Sequence, residues 1–467
     1  MDPILIFFAV AGASTLIKLL DQSRKGASPA RQEIPPASRL QIWRGAAAAC
    51  GLNVVRSTNR WTGSPKLEAQ ADPFEVRFEA HNADSRIVVN FPGPPGLDQV
   101  WIRRRTGETI VRGTETGDED FDQAFFIHGP MPLVCGLLDA ETRRLLLRVN
   151  AKCHLAIAGG EIQAEMFDVQ VPFILPLLLE LGRRFVQERD FVQCLLENAR
   201  RDPAAGVRIN QMLLLVREHA RDPRTAAVLH AACSDASPRV RLWTAQTLGD
   251  EGRDVLRELA ESTEDDDISA QALGIVGREL PFERTTAILE QALQGSRLQT
   301  ACACLEVLGG SGTAEAVNVL AKVVVQEVSE VATVAAQALG MSASPAAETP
   351  LIQALYREWP DLRIAAAQAL GRVGSARAVL PLQEAASVAQ RFPRDRDLFS
   401  TTRQAIAEIQ SRLPGALPGQ LSLAETEAGQ LSIATDPDGQ LSLAPEDSGQ
   451  LSLSDEKEKR EPAPEGE

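Results

Sequence analysis

An apolar, helix-forming segment that ends in Leu-Gly recurs five times in the second half of the chain, at spacings of 25, 35, 31 and 31 residues. Units that repeat at this period build a core by stacking on their neighbours, so this feature limits the fold more than any other. The repeat-defining residues are Leu248, Gly249, Leu273, Gly274, Leu308, Gly309, Leu339, Gly340, Leu370 and Gly371.

Each unit predicts a pair of helices. A small or apolar residue stands three positions before each Leu, as Ala336 does before Leu339, and this offset puts both side chains on one helical face. The Gly after the Leu is predicted to adopt the left-handed conformation that stops a helix. A second apolar segment follows every time. Asp202-Pro203, Asp222-Pro223 and Ser237-Pro238 predict capped helix starts.

Two copies, SPRVRLWTAQTLG (237–249) and PDLRIAAAQALGRVGSARAVLPL (360–382), resemble the HEAT repeat family in its short bacterial form. The resemblance implies an all-α solenoid over 188–413, with degenerate units at 188–235 and a terminal cap at 396–414. Such an array exposes a long surface that usually serves as a platform for protein partners.

Some proteins with such repeats are enzymes. Deoxyhypusine hydroxylases resemble this array and bind a di-iron centre through His-Glu pairs, but none of the five histidines here is followed by Glu. Bilin lyases also share the repeats, and repeat similarity alone carries no chemistry. The sequence predicts no catalytic, cofactor-binding or metal-binding residue. An accessory enzyme of the lyase or hydroxylase kind is the alternative.

Residues 39–187 predict a small α+β domain with an antiparallel sheet. Helical segments are expected at 39–55, where Gly51 could close the helix, at 141–150 and at 173–186. Gly159-Gly160 suits the turn of a hairpin between strands. Four further segments are rich in strand-forming residues and are bounded by Pro, Gly or Asp. These segments are FEVRFEAH (74–81), RIVVNF (86–91), VWIRRR (100–105) and ETIVRG (108–113).

The segment TGDEDFDQAFFIHG (116–129) concentrates four carboxylates, on Asp118, Glu119, Asp120 and Asp122. Carboxylates can hold Ca²⁺ or Mg²⁺, but the order of a calcium-binding loop is absent. An exposed acidic loop that leads into a strand is therefore predicted. The segment resembles small domains of unknown function in bacterial membrane-associated proteins, a resemblance that implies no activity.

The N-terminal segment 3–20 is apolar except for Lys18 and is just long enough to cross a bilayer. Positive charges follow this segment, and they predict that it is a transmembrane anchor in the bacterial inner membrane with most of the chain in the cytoplasm. Residues 21–38 are predicted to be a linker. An interfacial helix, a signal peptide and a buried helix are the alternatives. The seven scattered cysteines form no zinc-binding pattern and fit a reducing compartment.

The tail, 414–467, contains Gly-Gln-Leu-Ser four times at a period of ten residues. Residues 419–467 hold 12 Asp and Glu against 3 Lys and Arg, a net charge of −9. Two aliphatic residues per ten cannot offset the entropy of ordering the chain, so a disordered tail is predicted. It is either a drifted low-complexity extension or a set of strands that add to a partner's sheet edge.

These observations predict a non-enzymatic, membrane-tethered scaffold that presents a HEAT-repeat surface to a protein partner. In another interpretation the α+β domain is the functional module and the solenoid is a spacer. The net charge of −15 disfavours nucleic acid. No small-molecule substrate is predicted.

Overall fold

The computed structural model describes residues 35–58, 64–81, 84–105, 113–187, 190–327 and 330–412, and the backbone of four three-residue strands in the tail. The chain divides into two compact units between Thr244 and Ala245. A small antiparallel-sheet domain comes first, and a helical repeat region follows.

The first unit is built on an eight-stranded antiparallel sheet in the order β1-β2-β3-β4-β8-β7-β5-β6. The strands are β1 (Asn53–Thr58), β2 (Lys66–Ala71), β3 (Phe74–His81), β4 (Asp84–Asn90), β5 (Trp101–Arg104), β6 (Phe125–His128), β7 (His154–Ala158) and β8 (Glu161–Met166). The helices of this unit are α1 (Pro36–Ala49), α2 (Glu119–Ala124), α3 (Met131–Leu137), α4 (Ala140–Asn150), α5 (Val171–Val186), α6 (Phe191–Arg201), α7 (Ala205–Glu218) and α8 (Pro223–Ala232).

The core of the first unit lies between the sheet and the helices α1 and α5. Along β3, Phe74, Val76 and Phe78 are buried and alternate with exposed residues, as expected for a strand with one face on a core. The indole of Trp43 on α1 stacks on Phe78, with the ring centroids 5.8 Å apart. This contact holds α1 against the middle of the sheet.

The sequence predicted much of this domain. Strand β3 has the predicted ends, and β7 and β8 form the predicted hairpin, whose Gly159 and Gly160 both have positive φ. Helix α1 begins at Pro36, inside the predicted linker. The segment predicted as a strand at 108–113 lies almost wholly outside the described residues. Strands β1 and β2 were not predicted.

The second unit is an array of paired helices, and α9 (Pro238–Leu248) spans the boundary before it. Helices α11, α13, α15, α17 and α19 pack side by side in a first layer, and α10, α12, α14, α16 and α18 lie against them in a second. Their bounds are α10 (Arg253–Glu261), α11 (Asp266–Val276), α12 (Phe282–Gln294), α13 (Leu298–Ser311), α14 (Ala314–Gln326), α15 (Glu330–Met341), α16 (Glu348–Leu355), α17 (Pro360–Val373), α18 (Val379–Gln390) and α19 (Arg396–Arg412).

The repeat-defining glycines do not act as predicted. Only Gly249 among them has a positive φ, and the other four lie inside helices. A methyl group built on Gly340 would lie 2.7 Å from the Cβ atom of Ala369 on the next first-layer helix. The equivalent contacts are 2.8 Å from Gly309 to Ala338 and 3.3 Å from Gly371 to Ala405. These three glycines therefore admit the neighbouring helix instead of ending their own.

The leucines of the repeats pack as predicted in four of the five units. Leu273, Leu308, Leu339 and Leu370 are at most 2% exposed, whereas Leu248 is half-buried. The predicted cap at Asp222 is present, because its carboxylate accepts a hydrogen bond from the Arg224 amide at the start of α8. Asp202 is not the N-cap of α7, since Ala204 occupies that position.

In the described part of the chain no helix is both long and apolar enough to cross a membrane. The predicted localisation, a single-pass protein of the bacterial inner membrane, and the predicted contact with a membrane through the N-terminal helix are therefore wrong by this finding. The segment assigned as the anchor, residues 3–20, lies outside the described residues.

In the tail, the Leu-Ser-Leu and Leu-Ser-Ile triplets are the strands β9 (Leu421–Leu423), β10 (Leu431–Ile433), β11 (Leu441–Leu443) and β12 (Leu451–Leu453). Strand β9 pairs antiparallel with β10, and β11 with β12. The remaining tail residues lie outside the described residues, and their disorder stays a prediction.

The helix contact at Gly340 can be tested against Gly274, a helical glycine with no atom within 4 Å of an added methyl group. We expect Gly340→Ala to lower the free energy of unfolding by about 1–3 kcal/mol, because the methyl group overpacks the contact with Ala369. Gly274→Ala is expected to raise it by up to about 1 kcal/mol. Urea unfolding, with hydrogen exchange of α15 and α17, measures both effects. Equal stability of the two variants would contradict the close contact.

Adjacent repeats are also joined by a helix cap. The Asp266 carboxylate of α11 accepts hydrogen bonds from the Thr300 amide (2.9 Å), the Thr300 hydroxyl (2.6 Å) and the Gln299 amide (2.9 Å) at the start of α13. Burial alone would raise the pKa of Asp266, but these hydrogen bonds and the nearby Arg297 hold it below its ordinary value.

We expect Asp266→Ala to cost about 1 kcal/mol of unfolding free energy at pH 7, the usual size of a cap. Because the folded pKa of Asp266 is lowered, this contribution is complete above the ordinary carboxyl pKa and disappears as the pH falls through the folded value. Urea unfolding at pH 7 and at pH 3 measures the change. The control is Asp267→Ala, because the described bond of Asp267 joins it to the exposed Gln271 of the same helix. A difference that persists undiminished in acid would refute the cap.

Candidate functional site

The acidic segment at 116–129 folds into a capped turn and not into an exposed loop. The Asp118 carboxylate caps α2 by accepting from the Phe121 amide. Asp122 accepts from the amides of Thr116 and Gly117, at 2.9 Å each. Within the described residues no group of three or more His, Cys, Asp or Glu side chains is placed to hold a metal ion. Two of the four carboxylates, those of Asp118 and Asp122, thus organise the backbone, and Glu119 and Asp120 are exposed.

Arg143 of α4 joins this turn to the first helices that follow the sheet domain. Its guanidinium donates two hydrogen bonds to Asp202, of 2.8 and 3.0 Å, one of 2.8 Å to Asp118 and one of 2.9 Å to the Leu138 carbonyl. The side chains of Arg143 and Asp202 are 1% and 0% exposed. Burial would lower the pKa of Arg143, but the bonds to the two carboxylates raise it above its ordinary value.

Gly117 completes this junction by a backbone contact. It has φ of +93°, and a methyl group added there would lie 2.4 Å from the carbonyl carbon of Gly206 in α7. Two glycines therefore let the turn and α7 approach each other to backbone distance. The sequence signal for this turn is Thr-Gly-Asp at 116–118, but of these residues only Asp118 was part of a prediction.

A second buried polar cluster secures α1. The Arg39 guanidinium donates to Asp168 (2.8 Å), the Ser85 hydroxyl donates to the same carboxylate, and the Trp43 indole donates to Ser85 (2.7 Å). All four residues are at most 5% exposed. The carboxylate that accepts from Ser85 is already paired with Arg39, and Ser85 is fully buried, so its hydroxyl is not open to a substrate. The cluster fastens a helix to the sheet.

The three buried cysteines are unsuited to nucleophilic chemistry. Burial raises the pKa of Cys135, Cys153 and Cys304 to about 12, so these side chains stay protonated thiols at neutral pH. All seven cysteines are free thiols in the described chain.

The second unit carries a groove of about 500 Å³ on its first layer of helices. Side chains from four consecutive units, those of α11, α13, α15 and α17, line it. On α13, α15 and α17 most of these side chains occupy corresponding positions, because the contacts of Gly309 and Gly340 hold the three helices in register. The lining residues are Arg278, Glu306, Gly310, Val334, Gln337, Met341, Ala365, Gln368, Ala369 and Arg372.

A column of polar side chains crosses this first layer. Gln337 and Gln368 each precede an alanine, Ala338 or Ala369, that contacts a repeat-defining glycine. The equivalent residues are Glu306 on α13 and Gln404 on α19, and all four are exposed. Each amide offers both donors and an acceptor, so the column can hydrogen-bond a polypeptide backbone laid across it.

Two arginines mark the ends of the groove. Arg278 follows α11 and Arg372 lies in the last turn of α17, and both are exposed. Within the described residues neither guanidinium is paired with a carboxylate, whereas Arg253 and Arg257 on the second layer both contact Glu279. The groove thus presents two cations, with an apolar lining of Val334, Met341 and Ala365 between them.

A family model for HEAT repeats matches residues 326–396, which include α15 to α18. This region therefore consists of HEAT repeats, and the predicted α-solenoid fold is confirmed. No curated protein matches the chain.

Two solved structures align with part of the chain at low identity. A structure of human deoxyhypusine hydroxylase in complex with glycerol is 19% identical, covers 52% of this chain and 91% of its own, and gives a TM-score of 0.26. The crystal structure of an engineered protein is 20% identical, covers 47% and 89%, and gives a TM-score of 0.21. At these TM-scores neither alignment bears on function.

The Arg143 junction yields a stability prediction. We expect Arg143→Ala to destabilise the first unit by about 3–5 kcal/mol, because it leaves the Asp202 carboxylate buried without its cation. Thermal unfolding of the full chain, with hydrogen exchange of α4 and α6 to locate the effect, measures it. The control is Arg224→Ala, which removes an exposed arginine that pairs with an Asp two residues away and should change little. Matching losses in the two variants would contradict the assigned role.

Proposed function

We propose that this protein is a non-enzymatic scaffold whose HEAT-repeat array binds a protein partner through the groove on its first helix layer. One observation carries the proposal: corresponding positions of consecutive repeats place exposed amides, two arginines and an apolar strip along one continuous surface. Repeat arrays generally use such surfaces for protein partners.

The lining chemistry favours a polypeptide over other ligands. Amide side chains match the alternating donors and acceptors of a peptide backbone, and the apolar strip suits aliphatic side chains. A phosphate backbone needs clustered cations, but here a carboxylate, Glu306, lies between the two arginines. Nucleic acid is for that reason a poor match.

The alternative is an accessory enzyme of the hydroxylase or lyase kind. The five histidines are at 81, 128, 154, 219 and 230, so the sequence from Ala245 onward contains none. An array that held a di-iron centre through His-Glu pairs would need them there. This feature of the sequence weighs for the scaffold.

The proposal is tested by placing a photo-activated cross-linking amino acid at Gln337 in the full chain, within the cells that produce the protein. Since Gln337 lines the groove, we expect discrete cross-links to one or a few proteins. The matched control is Lys322 on α14, an exposed residue of the second layer. The same set of proteins from both positions, or none from Gln337, would overturn the assignment of the groove.

The alternative, in which the sheet domain is the interaction module, is tested with the same cross-linking amino acid at a further position. The exposed Val55 of β1, at the edge of the eight-stranded sheet, is the probe position there. Discrete cross-links from Val55 with none from Gln337 would favour that domain over the array.

A further inference from the structure

We propose that the groove on the first helix layer takes one of the chain's own tail repeats, so that the tail competes with an external partner. The occupant is the second Gly-Gln-Leu-Ser unit with its acidic flanks, residues 425–438. This inference rests on the proposed function, because it assigns a regulator to the same surface.

The charge pattern of the tail matches the groove. Glu425 and Glu427 precede the triplet Leu431–Ile433, and Asp436 and Asp438 follow it. The groove has the complementary order, with a cation at each end and, between them, the apolar strip, exposed amides and one carboxylate, Glu306. In an extended segment Leu431 and Ile433 project to one side, which suits a strip made by Val334 and Met341.

The dimensions also agree. Arg278 and Arg372 belong to the units of α11 and α17, which are three steps apart in the first layer, but the Nε atom of Arg278 lies 4.0 Å from a methyl group built on Gly310 of α13. The two cations are therefore two to three steps apart, or about 16–30 Å at the usual spacing of packed helices. From Glu427 to Asp436 is nine residues, which span about 30 Å when extended. One acidic flank can therefore meet each arginine.

The column of amides supplies the contacts that an extended chain needs. Gln337 on α15 lies in the middle of the groove, and Gln368 lies on α17, one turn before Arg372. Their amides can pair with backbone N–H and C=O groups of the tail whatever its side chains are. The arginines and the apolar strip would then determine which segment of the tail binds, by its acidic residues and its aliphatic triplet.

The end of the array places the tail at the correct end of the groove. Arg412, the last residue of α19, donates to the carbonyls of Gly371 and Gly374, on either side of Arg372. Twelve residues, 413–424, separate it from Glu425 and can reach about 40 Å. We therefore assign Glu425 and Glu427 to Arg372, and Asp436 and Asp438 to Arg278.

Pairing within the tail does not prevent this. Strand β10 pairs with β9 over three residues only. Isolated two-stranded pairs are marginally stable, so the triplet can exchange its partner strand for the groove at little cost. Four units also raise the local concentration of the occupant.

The test uses purified full-length protein with the photo-activated amino acid at Gln337, followed by digestion and mass spectrometry. We expect a cross-link from position 337 to residues 425–438 within the monomer. Arg278→Glu together with Arg372→Glu should reduce its yield about tenfold, by the loss and reversal of two exposed ion pairs. Lys322→Glu makes the same reversal of charge at one exposed site on the second layer and should leave the yield unchanged.

A second set of variants leaves the folded array untouched. Changing the Leu and Ile residues of all four triplets to Gly should abolish the cross-link, and an added synthetic peptide of residues 424–440 should compete with it. A cross-link that joins two chains would show that the tail occupies the groove of a second copy of the protein and not the groove of its own chain. No tail cross-link at all, or one indifferent to both arginines, would overturn the inference.

The two proposals fail separately. Purified protein without a tail cross-link, together with partner cross-links from Gln337 in cells, removes the regulator and keeps the scaffold. A tail cross-link in the purified protein, with no partner cross-link in cells even after residues 419–467 are deleted, keeps the contact of the tail with the groove and removes the partner. If both hold, deleting residues 419–467 should increase partner cross-linking.

Discussion

The close approach of successive first-layer helices is the contact on which the second unit depends. Gly309, Gly340 and Gly371 each face an alanine of the following helix, at a distance that excludes a side chain from Gly309 and Gly340 and leaves only a tight fit at Gly371. Because a glycine can meet that alanine at only one position along the helix, the contact fixes the register of each repeat on the next. The buried leucine one residue earlier then fills the space beside it. This register aligns the exposed amides into a column.

The first unit depends on a different kind of constraint, a buried charge. Arg143 is paired with two carboxylates that come from separate parts of the chain, 25 and 59 residues away. Such a pair adds little net stability over a well-packed apolar contact, but losing one member leaves an uncompensated charge. It therefore specifies where the turn at Asp118 and the start of α7 lie. Apolar packing alone would tolerate other placements.

The sequence predicted the helix pairs, their HEAT character and several strands, because these follow from local periodicity and turn residues. It failed at the glycines for a physical reason. A glycine near the end of a helix is compatible with a left-handed stop and with a close helix contact, and only the neighbouring helix distinguishes them. The roles of Asp118 and Asp202 were missed similarly, since their partner Arg143 is remote in the sequence. For the groove, the recurring Gln before Ala-Leu-Gly at Gln337 and Gln368 was the available signal.

The repeat period of the array and the repeat period of the tail can be compared as distances along the groove. In the array, about 31 residues of sequence are needed to advance by one helix spacing, because each unit folds back on itself before the next begins. An extended chain covers the same distance in about three residues. A tail with a ten-residue period thus advances by about three helix spacings per unit, which is the separation of the units that carry Arg278 and Arg372. An insertion or deletion between Glu427 and Asp436 would cost a docked unit one of its two ionic contacts, whereas nothing in an unconstrained extension fixes the spacing of these acidic residues.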